Sequence, residues 1–349
     1  MFVSQLGERR LLARIQSRFG KIGHAEHVVL GIGDDAAVVA PRRNAQTVLT
    51  TDQQIEGVHF DRHFSTAEDI GFRSLAVNIS DLAAMGSTPR WVLVSLGLPD
   101  RTAVEDVDGI VEGIAQLAGS LGITIVGGNL TRSPGPLVID ITAIGDIAPR
   151  RLLTRGGGRP GDALYVSGTI GAAAAGLEML QAARESAEGR GPSEGPGFSP
   201  GGACIDRYRR PEPRVRLGIA IAQARAARAA IDLSDGFADA AAQLAQASGC
   251  GVEIDAAAVP VEIAARAWWT SRGLDAVLSA ITGGDDYELL IAVPIKCQGR
   301  LRHATSRVST PALTRVGTLT KARGEHVLIR DGRRVTLPGG FVHFRGKEI

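Results

Sequence analysis

Apolar residues recur along the N-terminal half of the chain in two alternating patterns. A spacing of three to four residues predicts helices over Leu6–Phe19, Ala67–Met85 and Val104–Leu121. Short β-branched or apolar runs between Gly, Asp and Pro predict five strands, which are Val28–Ile32, Thr47–Thr51, Trp91–Leu98, Ile123–Val126 and Leu137–Gly145. Helices and strands that alternate in this way are typical of an α/β domain.

The C-terminal half continues this mixture after a stretch rich in Arg, Gly and Pro that begins at Arg150. The predicted strands are Ala163–Ser167, Ala230–Leu233, Val252–Ile254 and Tyr287–Val293. The predicted helices are Gly171–Ala183, Val215–Ala229, Phe237–Ala247 and one through Trp268 and Trp269. Residues 184–203 are rich in Gly and Pro and predict an irregular insert. The sequence therefore predicts two domains, residues 1–149 and 150–349, of α/β and α+β class.

The composition of the chain argues against several classes of protein. The chain has 349 residues, 44% of them hydrophobic, and Lys plus Arg (39) nearly balance Asp plus Glu (37). This balance predicts neither a nucleic-acid binder nor a membrane-surface protein. No apolar run reaches the roughly 20 residues of a membrane span. The three cysteines lack CxxC spacing, which suits a reducing compartment, so we expect a cytoplasmic protein.

The aspartates lie at the ends of apolar segments, beside Gly, Ser or Thr, and not among basic residues on helix faces. A single Asp in such a place is most often a turn or helix-cap residue. Several clusters without a basic neighbour favour instead a site at which divalent cations neutralise them. Carboxylate, hydroxyl and amide oxygens are hard ligands, which favours Mg²⁺ over Zn²⁺. Mg²⁺ bridging oxygens is typical of phosphoryl transfer.

Common catalytic motifs are absent from the sequence. It contains no GxxxxGK[ST] loop, no protein-kinase signature and no GxSxG elbow. The GxGxxG match at Gly156–Gly161 contains Pro160 and does not indicate a dinucleotide fold. His59 and His63 lack the HExxH context of a zinc helix. His59 is equally compatible with binding an anion and with a turn role. Any use of ATP therefore needs a less common scaffold.

Eight segments in order resemble the thiamine-monophosphate kinase family. They are GIGDDAAV (Gly31–Val38), TTDQQIEGVHF (Thr50–Phe60), LAVNISDLAAMGSTP (Leu75–Pro89), GGNLTRS (Gly127–Ser133), LTRGGGRPGD (Leu153–Asp162), VSGTIG (Val166–Gly171), IDLSDGFADA (Ile231–Ala240) and TGGDDYELL (Thr282–Leu290). The resemblance spans nearly the whole chain. It implies a two-domain aminoimidazole ribonucleotide synthetase-like fold whose N-terminal sheet forms a homodimer interface. It also implies ATP-dependent conversion of thiamine phosphate to thiamine diphosphate, with several Mg²⁺ ions.

The resemblance also assigns roles to individual residues. Metal ligands are implied at Asp35, Thr50, Thr51, Asp52, Asp81, Asn129, Asp232 and Asp235. ATP contacts are implied at Gly128, Asn129, Arg155 and Ser234. Contacts with thiamine phosphate are implied at His59, Asp285 and Phe341. No residue is expected to form a covalent intermediate.

Three of these positions depart from the family pattern. Asn129 stands where Asp is usual, so one negative charge is lost and the metal there is expected to bind more weakly. Asp285 stands where Glu is frequent, which shortens its reach by one methylene. Phe341 keeps an aromatic ring but lacks the polar group often found there.

The residues are also compatible with two other functions. One is a sister ATP-dependent enzyme of the same fold, such as selenophosphate synthetase or aminoimidazole ribonucleotide synthetase. The former is expected to have a reactive Cys and a Lys near its N-terminus, whereas the first 60 residues here have no Cys and only Lys21. The other is a non-catalytic regulator that binds Mg-nucleotide, which Asn129 favours. A purely structural dimer leaves the oxygen-ligand clusters unexplained.

Overall fold

The computed structural model describes residues 1–20, 27–33, 35–188, 202–306, 308 and 311–340. Its contacts divide the chain into two compact units. The first unit comprises Met1–Leu82 and Ser87–Leu152, and the second comprises Ala83–Gly86 and Leu153–Ile349. Within the described residues, no helix combines the length and the apolar character needed to span a bilayer.

The first unit begins with two helices and contains two sheets. Its helices are α1 (Val3–Leu6), α2 (Glu8–Phe19), α3 (Ala67–Ala84, whose last two residues belong to the second unit) and α4 (Val104–Leu121). Its strands are β1 (Val28–Leu30), β2 (Val38–Val39), β3 (Gln46–Ile55), β4 (Thr88–Leu98), β5 (Thr124–Arg132) and β6 (Val138–Ile147). Strands β1 and β2 form a small antiparallel pair.

The main sheet of the first unit has the order β3-β6-β4-β5. Only β4 and β5 run parallel. Alternate side chains of the strands point to opposite faces. One face buries Val94 and Ile141, whereas Leu49, Thr51 and Gln53 of β3 are exposed on the other. We call this second face the open face.

Helices α3 and α4 approach each other closely because glycines lie between them. A Cβ at Gly113 of α4 would overlap the carbonyl oxygen of Glu68 in α3. A Cβ at Gly71 of α3 would overlap the carbonyl of Ile110. Helix α4 ends at Leu121, and Gly122 after it has a left-handed φ of 67°, as is usual for a residue that follows a helix.

The second unit is built on one seven-stranded sheet. Its strands are β7 (Ala163–Ser167), β8 (Ala229–Asp232), β9 (Gly251–Asp255), β10 (Leu289–Val293), β11 (Leu313–Thr320), β12 (His326–Arg330) and β13 (Arg333–Thr336). Its helices are α5 (Ala172–Ala187), α6 (Gly202–Arg209), α7 (Val215–Ala224), α8 (Phe237–Ala247), α9 (Ile263–Ser271), α10 (Ala276–Thr282) and α11 (Gln298–Ser306). The strand order is β13-β12-β9-β11-β7-β10-β8, and only β9 and β12 run parallel.

The core of the second unit is formed by its strands and by helices α5, α8, α9 and α10. Alanine is frequent on these helices, which lets them pack closely over the sheet. Strand β8 is an edge strand next to β10, so the loops at its end are not covered by a further strand. This edge carries Asp232.

The structure confirms mixed strands and helices in both halves and corrects several limits. Gly7, with φ of 83°, separates two helices where the sequence predicts one. Helix α7 ends at Ala224 and not at Ala229, because Arg225 is left-handed. Strand β10 begins at Leu289 and not at Tyr287, because Tyr287 is also left-handed. The predicted insert is helical at both ends, since α5 continues to Ala187 and α6 begins at Gly202. Residues 189–201 of that insert lie outside the described residues.

Candidate active site

Three predicted ligands of the first unit lie between β3 and α3. The Thr50 hydroxyl donates to a carboxylate oxygen of Asp81 at 2.5 Å. The backbone N–H of Asp52 donates to Oδ1 of Asn78 at 2.9 Å. Thr50 and Asp52 share one strand face because they are two residues apart. The structure therefore brings Thr50, Asp52 and Asp81 together.

Asn78 is a residue of this cluster that the sequence reasoning missed. It is fully buried, and its amide also donates to the backbone carbonyl of Ser74 at 3.0 Å. It precedes Asp81 by three residues, which places both on one side of α3. The signal that could have identified it is its place in the LAVNISDLAAMGSTP segment, one helical turn before Asp81.

Thr51 and Asn129 point instead to the open face. The Thr51 hydroxyl is 3.0 Å from Oδ1 of Asp140 and 3.1 Å from the carbonyl oxygen of Ile141. Asp140 and Asn129 both pair with Ser95 in the sheet, from opposite sides. Paired residues of neighbouring strands share a face. Thr51 and Asn129 are thus separated by the sheet from Asp52 and Asp81 of the same chain.

Gly128, predicted to contact ATP, has a structural requirement of its own. It lies beside Val94, and a Cβ at this position would overlap the carbonyl oxygen of Val94. Only glycine therefore fits between β4 and β5 at this point of the sheet.

His59 lies in the turn that follows β3. Its Nδ1 accepts a hydrogen bond of 3.1 Å from the backbone N–H of Ile55. Because a neutral imidazole has one acceptor nitrogen and one donor nitrogen, this bond places the proton on Nε2. The N–H donor of His59 is therefore on the ring nitrogen that faces away from the N–H of Ile55. Asp35 is exposed in the segment between β1 and β2.

In the second unit, two loops form a hydrogen-bonded ribbon beyond β8 and β10. The N–H of Leu233 donates to the carbonyl of Glu288 at 2.8 Å, and the N–H of Tyr287 donates to the carbonyl of Leu233 at 2.9 Å. The N–H of Asp285 donates to the carbonyl of Ser234 at 2.7 Å. The structure thus places residues with three different predicted roles along one ribbon. They are the metal ligands Asp232 and Asp235, the ATP contact Ser234 and the thiamine phosphate contact Asp285.

Gly340, near the C-terminus, packs against this ribbon. A Cβ at Gly340 would overlap the carbonyl oxygen of Asp235. Phe341, the third predicted contact with thiamine phosphate, follows directly in the sequence but lies outside the described residues.

Arg155 is held against α8. Its Nη1 donates to Oε1 of Gln243 at 2.8 Å, and Nε2 of Gln243 donates to Oδ2 of Asp239 at 2.5 Å. Asp239 and Gln243 are one helical turn apart, on the helix that begins just after Asp235. Sequence reasoning did not assign a role to Asp239 or Gln243, although Asp239 lies within a segment that resembles the family.

Two buried acids beside this ribbon, Asp286 and Glu288, have no role assigned from the sequence. Asp286 is 1% exposed, and both of its carboxylate oxygens accept from the N–H of Gly171, at 3.0 and 2.8 Å. Gly171 precedes α5, so this carboxylate lies at the N-terminal end of that helix. Burial raises the pKa of Asp286 to about 8, although the N–H of Gly171 and the charge of Arg207 favour the ionised form.

Glu288 is 0% exposed and is paired with two arginines. Arg214 donates to both of its carboxylate oxygens, at 2.7 and 2.5 Å, and Nη2 of Arg207 donates to one of them at 2.7 Å. The Ser167 hydroxyl donates to Glu288 at 2.5 Å. The same Arg207 nitrogen donates to the backbone carbonyl of Asp286 at 3.1 Å. A buried charge requires such pairing.

The donor chemistry of the predicted ligands fits Mg²⁺. Carboxylate, hydroxyl and amide oxygens make up the whole set. Among the residues that the structure describes, no three His, Cys, Asp or Glu side chains converge closely enough to hold an ion.

Comparison with known proteins identifies the family. The families described as AIR synthase related protein, N-terminal domain and C-terminal domain, match residues 33–147 and 159–330. Thiamine-monophosphate kinase of Escherichia coli (strain K12) is 35% identical over 343 residues, covering 97% of this chain and 98% of that protein. The chain belongs to the thiamine-monophosphate kinase family. The resemblance read from the sequence motifs is thereby confirmed.

Solved structures agree with this family. The crystal structure of thiamine-monophosphate kinase from Stenotrophomonas maltophilia K279a has a TM-score of 0.77 at 35% identity, covering 93% of this chain and 96% of that one. AaThiL complexed with AMPPCP and TMP has a TM-score of 0.74 at 29% identity, covering 99% of both chains. The predicted two-domain, aminoimidazole ribonucleotide synthetase-like fold is confirmed.

Proposed function

We propose that this protein transfers the γ-phosphoryl group of ATP to thiamine phosphate, giving thiamine diphosphate and ADP. The observation that carries the proposal is the full-length similarity to thiamine-monophosphate kinases. A relative covered over 99% of its length binds AMPPCP, a non-hydrolysable analogue of ATP, together with TMP. The hydroxyl, amide and carboxylate clusters of both units support a reaction between two phosphorylated compounds.

The transfer is direct. A phosphate oxygen of thiamine phosphate attacks the γ-phosphorus of ATP, while the bond from that phosphorus to the bridging oxygen breaks and ADP leaves with the electron pair. The attacking phosphate is already anionic at neutral pH, so no strong general base is needed. Burial raises the pKa of the Cys204 thiol to about 11, which leaves it protonated and unsuited to be a nucleophile. The protein's contribution is positioning and charge stabilisation.

Several Mg²⁺ ions are part of the proposal. Bound Mg²⁺ would neutralise the repulsion between the reacting phosphates. The residues proposed to hold it are Asp35, Thr50, Thr51, Asp52, Asp81, Asn129, Asp232 and Asp235. Because Thr51 and Asn129 point to the open face, they do not share an ion with Asp52 and Asp81 of their own chain.

The remaining predicted residues are proposed to bind the two substrates. Gly128, Asn129, Arg155 and Ser234 are proposed to contact ATP. The Arg155 guanidinium is oriented by Gln243 and suits a phosphate. His59, with its proton on Nε2, suits the phosphate of thiamine phosphate, and the Asp285 carboxylate suits the cationic thiazolium or the aminopyrimidine. Phe341 is proposed to stack on the substrate.

The proposal includes a homodimer that forms through the open face. Leu49 is 66% exposed there, and the strand continues with polar residues on the same face. The three cysteines are buried and unpaired, which supports a cytoplasmic location.

The deciding experiment incubates the protein with ATP, Mg²⁺ and thiamine phosphate and measures thiamine diphosphate by chromatography. We expect ADP and thiamine diphosphate to form in equal amounts. Free thiamine is the control acceptor and should not be phosphorylated. Phosphorylation of thiamine but not of its phosphate would overturn the proposal, and ATP binding without transfer would favour the regulator.

A further inference from the structure

The Gly283–Glu288 loop contains backbone that does not form by local preference. Asp285 and Tyr287 have φ of 69° and 50°, in the left-handed region, and neither is glycine. Side chains with a Cβ disfavour this conformation. Two such residues on either side of Asp286 persist only where surrounding contacts hold them.

Asp286 supplies contacts of that kind at the centre of the turn. Its carboxylate is tied to the N–H of Gly171, 115 residues away in the chain. Its backbone carbonyl is tied to Arg207. On the C-terminal side, Glu288 is fixed by Ser167 and Arg214. The turn is therefore anchored to α5, α6 and β7 and not only to its own neighbours.

The anchored turn determines where Asp285 lies. The N–H of Asp285 donates to Ser234, and the Tyr287 hydroxyl donates to Oδ1 of Asp285 at 3.0 Å. A Cβ at Gly284 would overlap the carbonyl oxygen of Ser234, so the two loops are in close contact there. A small rotation of the turn would move the Asp285 carboxylate relative to Ser234 and Asp235. Misplacement of a substrate contact by about 1 Å is enough to reduce activity strongly.

We propose that Asp286 is a positioning residue, which anchors the turn to α5 so that Asp285 meets the thiamine part of thiamine phosphate. This inference rests on the proposed function, because it requires Asp285 to bind that substrate. Asp286 itself is buried and acts through Asp285. A role limited to stabilising α5 would lower stability but would not change the affinity for one substrate selectively.

The test compares Asp286→Asn with a matched variant, Glu178→Gln. Asn keeps the shape of Asp but has only one acceptor oxygen, so at most one of the two contacts with the N–H of Gly171 remains. Glu178 lies on α5, the helix that Asp286 contacts through Gly171, and it accepts from the indole N–H groups of Trp268 and Trp269, both at 2.9 Å. Glu178→Gln thus perturbs a side-chain contact of α5 without touching the turn.

We expect Asp286→Asn to raise KM for thiamine phosphate at least tenfold and to leave KM for ATP within twofold. Amide hydrogen exchange of the Gly283–Glu288 loop should become faster. Glu178→Gln should leave both KM values unchanged. Unchanged KM for thiamine phosphate in Asp286→Asn, or equal changes for both substrates, would overturn the positioning role.

A second variant decides the matter if Asp286→Asn does not fold. Arg207→Met removes the bond to the Asp286 carbonyl but leaves Glu288 paired with Arg214, and it should also raise KM for thiamine phosphate selectively. A parallel change for both substrates would count against the proposal. A wild-type protein that does not convert thiamine phosphate would overturn the proposed function itself, and the positioning role with it. Wild-type activity with no selective change in the variants would overturn the positioning role alone.

Discussion

At Thr50 and Asp81, a strand residue and a helix residue are joined by one hydrogen bond of 2.5 Å. Asn78 adds a second link by accepting from the backbone of Asp52. The first bond fixes the side chains of Thr50 and Asp81, and the second fixes the backbone of Asp52, before any ion binds. Pre-positioned oxygens reduce the reorganisation that binding requires, which is how a polar site favours its ligand.

The first prediction concerns these ligands. Asp81→Asn and Asp235→Asn should each lower kcat/KM by roughly ten- to a hundredfold, by analogy with the loss of residues that support a metal site. In Asp81→Asn, the carbonyl oxygen of the new amide can still accept from the Thr50 hydroxyl, so the fold should persist. Steady-state kinetics at limiting Mg²⁺ measures the effect.

The control for this prediction is Asp108→Asn. Asp108 is on α4 and pairs with Arg14 at the surface, so the same charge change occurs there away from the predicted ligands. Its turnover should equal that of the wild type. Wild-type turnover in both Asp81→Asn and Asp235→Asn would contradict the metal assignment.

The second prediction follows from the raised pKa of Asp286. Its ordinary value is 3.8 and its value in the folded protein is about 8, chiefly because of burial and further because of Glu288, against the effects of Gly171, Arg207 and Ala173. Between these values the folded state holds a proton that the unfolded state releases. Stability should therefore fall as pH rises from about 4 to about 8 and should not fall further above that range on account of this group.

Urea unfolding at pH 6 and pH 9 measures this effect. The wild-type midpoint should fall more between these two pH values than the midpoint of Asp286→Asn, in which the group does not titrate. The difference between the two proteins isolates Asp286 from the other groups that titrate. An equal pH dependence in both would show that Asp286 is ionised throughout.

At the scale of elements, local patterns are the most reliable guide. The predicted limits of helix α4 are the observed ones, since its apolar spacing and Gly122 are both local signals. The contacts of Asp286 and Glu288 could not be predicted, because their partners Gly171 and Ser167 lie more than 100 residues away in sequence. The strand predicted over Ile123–Val126 is shorter than β5. Gly127 and Gly128 are residues typical of turns, whereas here they continue the strand.

The face of the sheet to which each side chain points could likewise not be predicted from the sequence. Thr51 and Asp52 are neighbours in the chain and are grouped together by the motif, but a strand directs them to opposite sides of the sheet. Without the strand limits, the alternation could not be applied to the segment around Asp52. The roles of the individual site residues stay predictions, whereas the family and the fold are confirmed.

The third prediction concerns the contact between α3 and α4. Gly113→Ala should destabilise the first unit by about 1–3 kcal/mol, because the added methyl overlaps the backbone of Glu68. Thermal unfolding should show a lower Tm. Gly299→Ala is the matched control on α11, since a Cβ at Gly299 meets nothing within 4 Å. An unchanged Tm in Gly113→Ala would mean that the two helices can separate at little cost.

For the whole molecule, the two units differ in what they expose. The sheet of the first unit keeps one face open, whereas helices cover a face of the larger sheet in the second. The family resemblance implies a homodimer that forms through this sheet, and its open face carries the exposed side chain of Leu49. This is the basis on which the homodimer is proposed.

The fourth prediction tests that homodimer. Light scattering should give twice the chain mass of 36.5 kDa for the wild type and the monomer mass for Leu49→Arg. Ile263→Arg is the control, because Ile263 is 82% exposed but lies in the second unit. A wild type that scatters as a monomer, or a Leu49→Arg variant that remains a dimer, would refute this interface.

The ribbon that joins Ser234 to Asp285 has a thermodynamic consequence. One of its loops carries a proposed metal ligand, Asp235, and the other carries the proposed thiamine contact. Because a backbone hydrogen bond joins the two loops, an occupant that orders one also lowers the entropic cost of ordering the other. Linkage is reciprocal. Thiamine phosphate should therefore strengthen the binding of the cation, and the cation should strengthen the binding of thiamine phosphate by the same factor.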